Sequence, residues 1–185
     1  MNIAEAKAIL EAVIFAAPEP ITLRECARIL DINHRTAGLL IQLLEDDYLR
    51  RHSGLTIRQV ANGYQICTRP EYATYVQAIG RSPRSQALSP AALECLAIIA
   101  YKQPVTRVEI DEIRGVRSES ALQTLIEREL VVEVGRKDAV GKPVLFGTTK
   151  KFLELLGLNS LAELPPLETD EAILVAPAVE GLSIN

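Results

Sequence analysis

One hexapeptide pattern occurs twice in this chain and limits what it can fold into. Pro20-Ile21-Thr22-Leu23-Arg24-Glu25 returns as Pro104-Val105-Thr106-Arg107-Val108-Glu109, 84 positions later. At the same offset Ile14, Phe15 and Ala16 fall on Ile98, Ile99 and Ala100, and Ile29 and Ile32 fall on Ile113 and Val116. A small loop-length change then sets Leu40, Leu43 and Leu44 against Leu122, Leu125 and Ile126. Ordered self-similarity at a fixed spacing is the mark of a duplicated supersecondary unit.

The unit's physics reads the same way in both copies. Thr22 with Glu25, and Thr106 with Glu109, form the capping-box pattern that starts a helix, and the preceding Pro keeps the approach extended. An amphipathic helix precedes each cap, over 3–17 and over 89–101, the second opened by Ser89-Pro90 as N-cap and N1. A third helix follows over 35–50 and 117–129. Strand-like segments then flank Asn62-Gly63, a tight-hairpin signal. Val131–Val134 and Val144–Phe146 flank a longer loop. Three helices and a hairpin make a winged helix-turn-helix. The expected fold is therefore mainly α with small β-hairpins (α+β), as two tandem winged helix-turn-helix domains. These occupy 1–80 and 89–164, with a linker over 81–88 and a flexible acidic tail over 165–185. Lys150–Leu156 adds a helix that Gly157 ends.

Charge is informative once located. All 20 basic residues and 18 of the 24 acids lie within residues 1–151, a net of +2; the overall charge of −4 comes from the acidic end. A concentrated basic face for duplex DNA is missing. Aromatics are 4% with no Trp, which argues against a base-stacking platform. Cys26, Cys67 and Cys95 share no metal-like spacing, so no metal or other cofactor is expected. No phosphate-cradling glycine loop, nucleophile elbow or His-Glu-x-x-His is present, so no catalytic residue is assigned and the chain is not expected to be an enzyme. With no signal-like N-terminus and no apolar run near ~20 residues, a cytoplasmic protein without membrane contact is expected.

The third helices favour protein contact. In the first copy, Leu39, Leu40, Ile41, Leu43 and Leu44 spread over an arc of about 200°, wider than one core requires, and Glu45-Asp46-Asp47 would repel phosphate. Leu39, Ile41 and Phe15, which lies off its own helix's stripe, are candidates for a homodimer contact. The second copy carries mixed charge and no set aimed at base edges. Arg136, Lys137 and Lys142 on its wing could touch phosphate weakly, without reading sequence.

The run Leu96-Ala97-Ile98-Ile99-Ala100-Tyr101-Lys102-Gln103-Pro104-Val105-Thr106, with Glu109 to Val116, Leu125-Ile126-Glu127-Arg128, Gly135-Arg136, Gly141-Lys142-Pro143 and Phe146-Gly147-Thr148-Thr149, resembles the bacterial segregation and condensation protein B family. Glu129 stands where that family tends to have Gly. The resemblance implies a non-enzymatic, dimeric subunit of the bacterial condensin-like complex. It would bind the kleisin subunit, segregation and condensation protein A, and through it the structural-maintenance-of-chromosomes ATPase. It would support chromosome condensation and segregation in cell division and be nucleoid-associated through the complex. The second domain is expected to carry the kleisin surface, with Tyr101, Val108 and Ile110 as contacts: Tyr101 has an anchor's profile, and Val108 and Ile110 can hardly share one small core. The rival reading is a tandem winged-helix DNA-binding transcription regulator.

Overall fold

The computed structural model describes residues 2–79 and 87–166; the expected joint, Gly80 to Ser85, and the tail from Leu167 onward lie outside the described residues. The chain divides into two compact units, Met1–Arg81 with Gly157–Ser160, and Ser82–Leu156 with Leu161–Asn185.

The first unit holds α1 (Ile3–Ala16), α2 (Leu23–Leu30), α3 (His34–Arg50), β1 (Leu55–Val60), β2 (Gly63–Thr68) and α4 (Ala73–Gln77). Asn2 and Thr22 each build a capping box, with Glu5 and Glu25 respectively. Leu10, Ile14, Cys26, Ile41, Leu44 and Tyr48 fill the core. The Tyr48 hydroxyl donates to Glu11 at 2.7 Å, and the Arg51 guanidinium lies 4.4 Å from the centre of the Tyr48 ring. Burial and the Glu11 bond push the phenol up to about 12. The neutral phenol therefore supports the fold below the ordinary tyrosine range, and that support is lost as pH rises through about 12.

The second unit repeats the plan with α5 (Pro90–Lys102), β3 (Val105–Thr106), α6 (Arg107–Arg114), α7 (Glu119–Glu127), β4 (Val131–Arg136), β5 (Val144–Thr148) and α8 (Lys150–Leu156). Its sheet runs β3-β5-β4, antiparallel throughout. Ile99, Ile110, Leu125 and Phe152 lie in its core, and so does Leu88 at the end of the expected linker. Both units are winged helix-turn-helix folds.

The duplication extends to details the sequence pattern left out. Ile21 bridges Tyr64 in the first unit and Val105 pairs with Phe146 in the second, so the segment before each cap adds a short strand to the wing. Asp31 and Gly115, 84 positions apart, both cap their helix in the left-handed conformation. Only glycine adopts that conformation without cost.

Two sequence registers shift by one residue. Ala37, Leu40, Ile41 and Leu44 are buried on α3, as are Ser118 at the N-cap of α7 and Ala121, Leu122 and Leu125 within it. The third helices therefore align at an offset of 81, not the 82 that set Leu40 against Leu122. The first hairpin turns on Ala61-Asn62, both at positive φ, and Gly63 pairs with Val60 inside the ladder. Gly63 serves close approach instead: a Cβ there would sit 2.5 Å from the Pro20 carbonyl oxygen. Backbone cannot yield as a flexible side chain does, so Gly63→Ala is expected to destabilise the first unit by about 1–3 kcal/mol, measured by urea unfolding.

Candidate functional site

The described surface carries apolar side chains that neither core uses. On α1, Ala4, Ala8, Ala12 and Phe15 follow at i, i+4, i+8 and i+11 and share one exposed face. Phe15 is 74% exposed, whereas its repeat partner Ile99 is completely buried. The same backbone position thus packs inward in one unit and stays outside in the other. Small alanines beside one ring allow a second helix to approach closely. The opposite face of α1 holds Leu10 and Ile14 in the core, so the helix is apolar on both sides.

Leu39 on α3 is exposed, with Leu43 one turn later. Ile41 is not: at 2% exposure it belongs to the first core, between Leu40 and Leu44. Its place among the candidate dimer contacts is corrected by that burial. The arc is wide because α3 buries one side and leaves a second apolar strip outside.

In the second unit, Val108 is 56% exposed and Ile110 is 0% exposed. Two residues apart on a helix point to opposite sides, and Ile110 takes the inward place, so it is removed from the candidate contact surface. The repeat held this answer, since Val108 aligns with Arg24 and Ile110 with buried Cys26.

Tyr101 and Val108 line different depressions. Tyr101 borders one of about 510 Å³ with Leu161, Leu164 and Pro166, and its hydroxyl donates to the Pro165 carbonyl at 2.8 Å. That bond ties the ring to its own chain. Val108 lines a depression of about 420 Å³ between α6, α7 and the wing, floored by Leu122, Ile126 and Phe146. Arg107, Arg136 and Lys142 stand around it, with Glu119 and Glu133. Arg107 pairs with Glu119 at 3.4 Å, and the Arg136 guanidinium donates to the Lys142 carbonyl at 3.2 Å. Sequence marked Arg107 and Ile126 only as repeat positions and Glu119 only as part of a third helix of mixed charge, because their meeting in one groove depends on how the wing folds back.

Lys137 does not share this place. Its ammonium donates to Glu109 Oε1 at 2.6 Å. That bond, with the Thr106 amide and hydroxyl, holds the Glu109 carboxyl down at about 2. The lowered value supports folding above the ordinary glutamate range, and the support fades as pH falls through about 2. Arg136 and Lys142 thus remain at the groove while Lys137 is committed elsewhere. An apolar floor with a partly cationic rim suits an amphipathic acidic peptide better than a duplex, whose phosphates would also meet Glu119 and Glu133.

Burial raises all three thiols, as in unreactive cysteines. Among the described residues no group of three or more His, Cys, Asp or Glu is placed to hold a metal. No helix there is long and apolar enough to cross a membrane.

The sequence model of the segregation and condensation complex subunit ScpB family matches residues 8–167. Segregation and condensation protein B of Symbiobacterium thermophilum is 49% identical over 177 residues, covering 95% of this chain and 80% of that protein. The crystal structure of ScpB from Mycobacterium tuberculosis is 36% identical over 85% of this chain and 98% of its own, with a TM-score of 0.42. A dimer of an ScpB N-terminal domain complexed with an ScpA peptide is 28% identical, covering 42% of this chain and 96% of its own, with a TM-score of 0.40.

Proposed function

The chain belongs to the segregation and condensation complex subunit ScpB family, and we propose that it acts as a non-catalytic, dimeric subunit that binds the kleisin ScpA. Through the kleisin it joins the structural-maintenance-of-chromosomes ATPase and supports chromosome condensation and segregation, residing in the cytoplasm at the nucleoid. The first unit supplies the dimer contact, with Phe15 and Leu39. The second unit supplies the kleisin surface, with Val108 in the groove and Tyr101 at the separate depression by Leu161 and Leu164.

The observation that carries this reading is the pair of unused apolar surfaces within a family named for a complex subunit. Phe15 with its alanine strip is a flat, uncharged helix face, the chemistry of a helix-to-helix contact. The groove at Val108 has the dimensions and polarity of a peptide site. Arg136 and Lys142 serve there as partners for peptide carboxylates and not as readers of base edges.

The test is sedimentation of the purified chain with and without purified ScpA. A dimer alone and a larger co-sedimenting complex are expected. A chain that stays monomeric at tens of micromolar, or that never shifts with ScpA, contradicts the proposal.

A further inference from the structure

The two units differ in what joins their second helix to their third. Ala27, Leu30 and Ala37 of the first unit, all buried, correspond in the repeat to Asp111, Arg114 and Ser118 of the second. One copy of the fold closes on apolar side chains where the other builds a polar clamp. The Arg114 side chain is only 6% exposed and ties α6 to both neighbouring helices. Its Nε and Nη2 donate to Glu94 of α5 at 3.0 and 2.9 Å. Its Nη1 donates to the Ser118 hydroxyl at the N-cap of α7 at 3.0 Å, and to the Arg117 carbonyl at 3.4 Å. Asp111 accepts the Ser118 amide at 2.7 Å. A buried charge network adds little net stability over well-packed apolar residues, and the first unit closes without one.

What the clamp fixes is spacing. In the first unit α2 packs directly on α3, whereas α6 and α7 meet chiefly through α5. Those two helices are walls of the groove at Val108, and Glu119, the residue after Ser118, pairs with Arg107 of α6 at 3.4 Å. Hydrogen bonds are directional and hold one separation, while apolar attraction is non-directional and tolerates sliding. We propose that Arg114 is a positioning residue for the groove: with Glu94, Asp111 and Ser118 it sets the separation of α6 and α7 that a bound segment meets. Arg114 does not line the groove, so it acts through the helices and not by touching the occupant. This role rests on the kleisin reading of the groove.

The experiment gives the full chain the first unit's own residues, Arg114→Leu together with Ser118→Ala, and keeps Asp111 as acceptor for the amide at 118. The urea midpoint is expected at the parent's value or above it, while purified ScpA binds ~tenfold more weakly. Arg114→Lys keeps the charge but lacks the fork that reaches Glu94 and Ser118 together, and it is expected to lose ScpA affinity in the same direction. Parent affinity in both variants overturns the proposal. An affinity loss matched by a fall in the urea midpoint overturns it equally, because the clamp would then support the fold alone. A parent chain that does not bind ScpA refutes the kleisin reading itself, and the positioning role with it, before any variant is compared.

Discussion

Ile110→Ala is expected to destabilise the second unit by about 2–5 kcal/mol, the cost of removing buried methylenes and leaving a cavity. Ile110 has no exposed surface and lies in the same core cluster as Ile99, Leu125 and Phe152. Val108→Ala, two residues earlier on α6, is expected to stay within about 0.5 kcal/mol, as a surface change outside any packed contact does. Urea unfolding, supported by amide exchange to separate the two units, measures both. Equal losses at the two positions would mean that Val108 also belongs to the fold, and the groove would lose its claim to a partner.

The second large effect falls on assembly. Phe15→Asp is expected to weaken self-association at least ~100-fold, measured by sedimentation equilibrium. A charge placed in an apolar helix contact must be desolvated without a counter-ion, and truncating a buried aromatic anchor alone commonly costs ~2 kcal/mol or more. Because Phe15 is largely exposed within its own unit, the variant's urea unfolding as a monomer should match that of the parent α1. A variant that remains dimeric would move the contact away from α1, leaving the Leu39 strip of α3 as the next candidate.

The elements of this fold that local chemistry dictates were legible in the chain. Both capping boxes, the Ser89-Pro90 start and the Gly157 stop depend on residues within a few positions of one another, and each stands where the sequence reading has it. Registers were less legible. Leu39-Leu40-Ile41-Gln42-Leu43-Leu44 has an apolar residue at nearly every position, so offsets of 81 and 82 fit it equally well. Only the packed core chooses between them, and with that choice Ile41 moves inward. Asn62-Gly63 announced a hairpin, but the turn sits one residue earlier, on Ala61-Asn62, and the close approach of Pro20 that Gly63 serves is seen only after folding. The bridge at Ile21 and the two-residue strand at Val105 are too short to show a period.

The candidate site divided along the same line. Phe15 and Val108 could be found because they break their own helix's pattern, and the repeat alignment marks both: Phe15 against buried Ile99, Val108 against charged Arg24. The groove itself could not be found that way. It joins α6, α7 and both strands of the wing across more than thirty residues, and its partly cationic rim lacks Lys137, which is drawn off to Glu109. Glu129, where the family tends to have Gly, has φ +60°. That is the left-handed conformation glycine adopts freely, and here a Glu bearing a 2.7 Å pair to Lys151 occupies it.

Titration of purified ScpA against the full chain and its Val108→Asp variant tests whether the second unit's groove is a kleisin site. With folding and dimerisation unchanged, the variant is predicted to bind ScpA about thirtyfold more weakly, a loss of ~2 kcal/mol. Equal affinity for the two chains would contradict it.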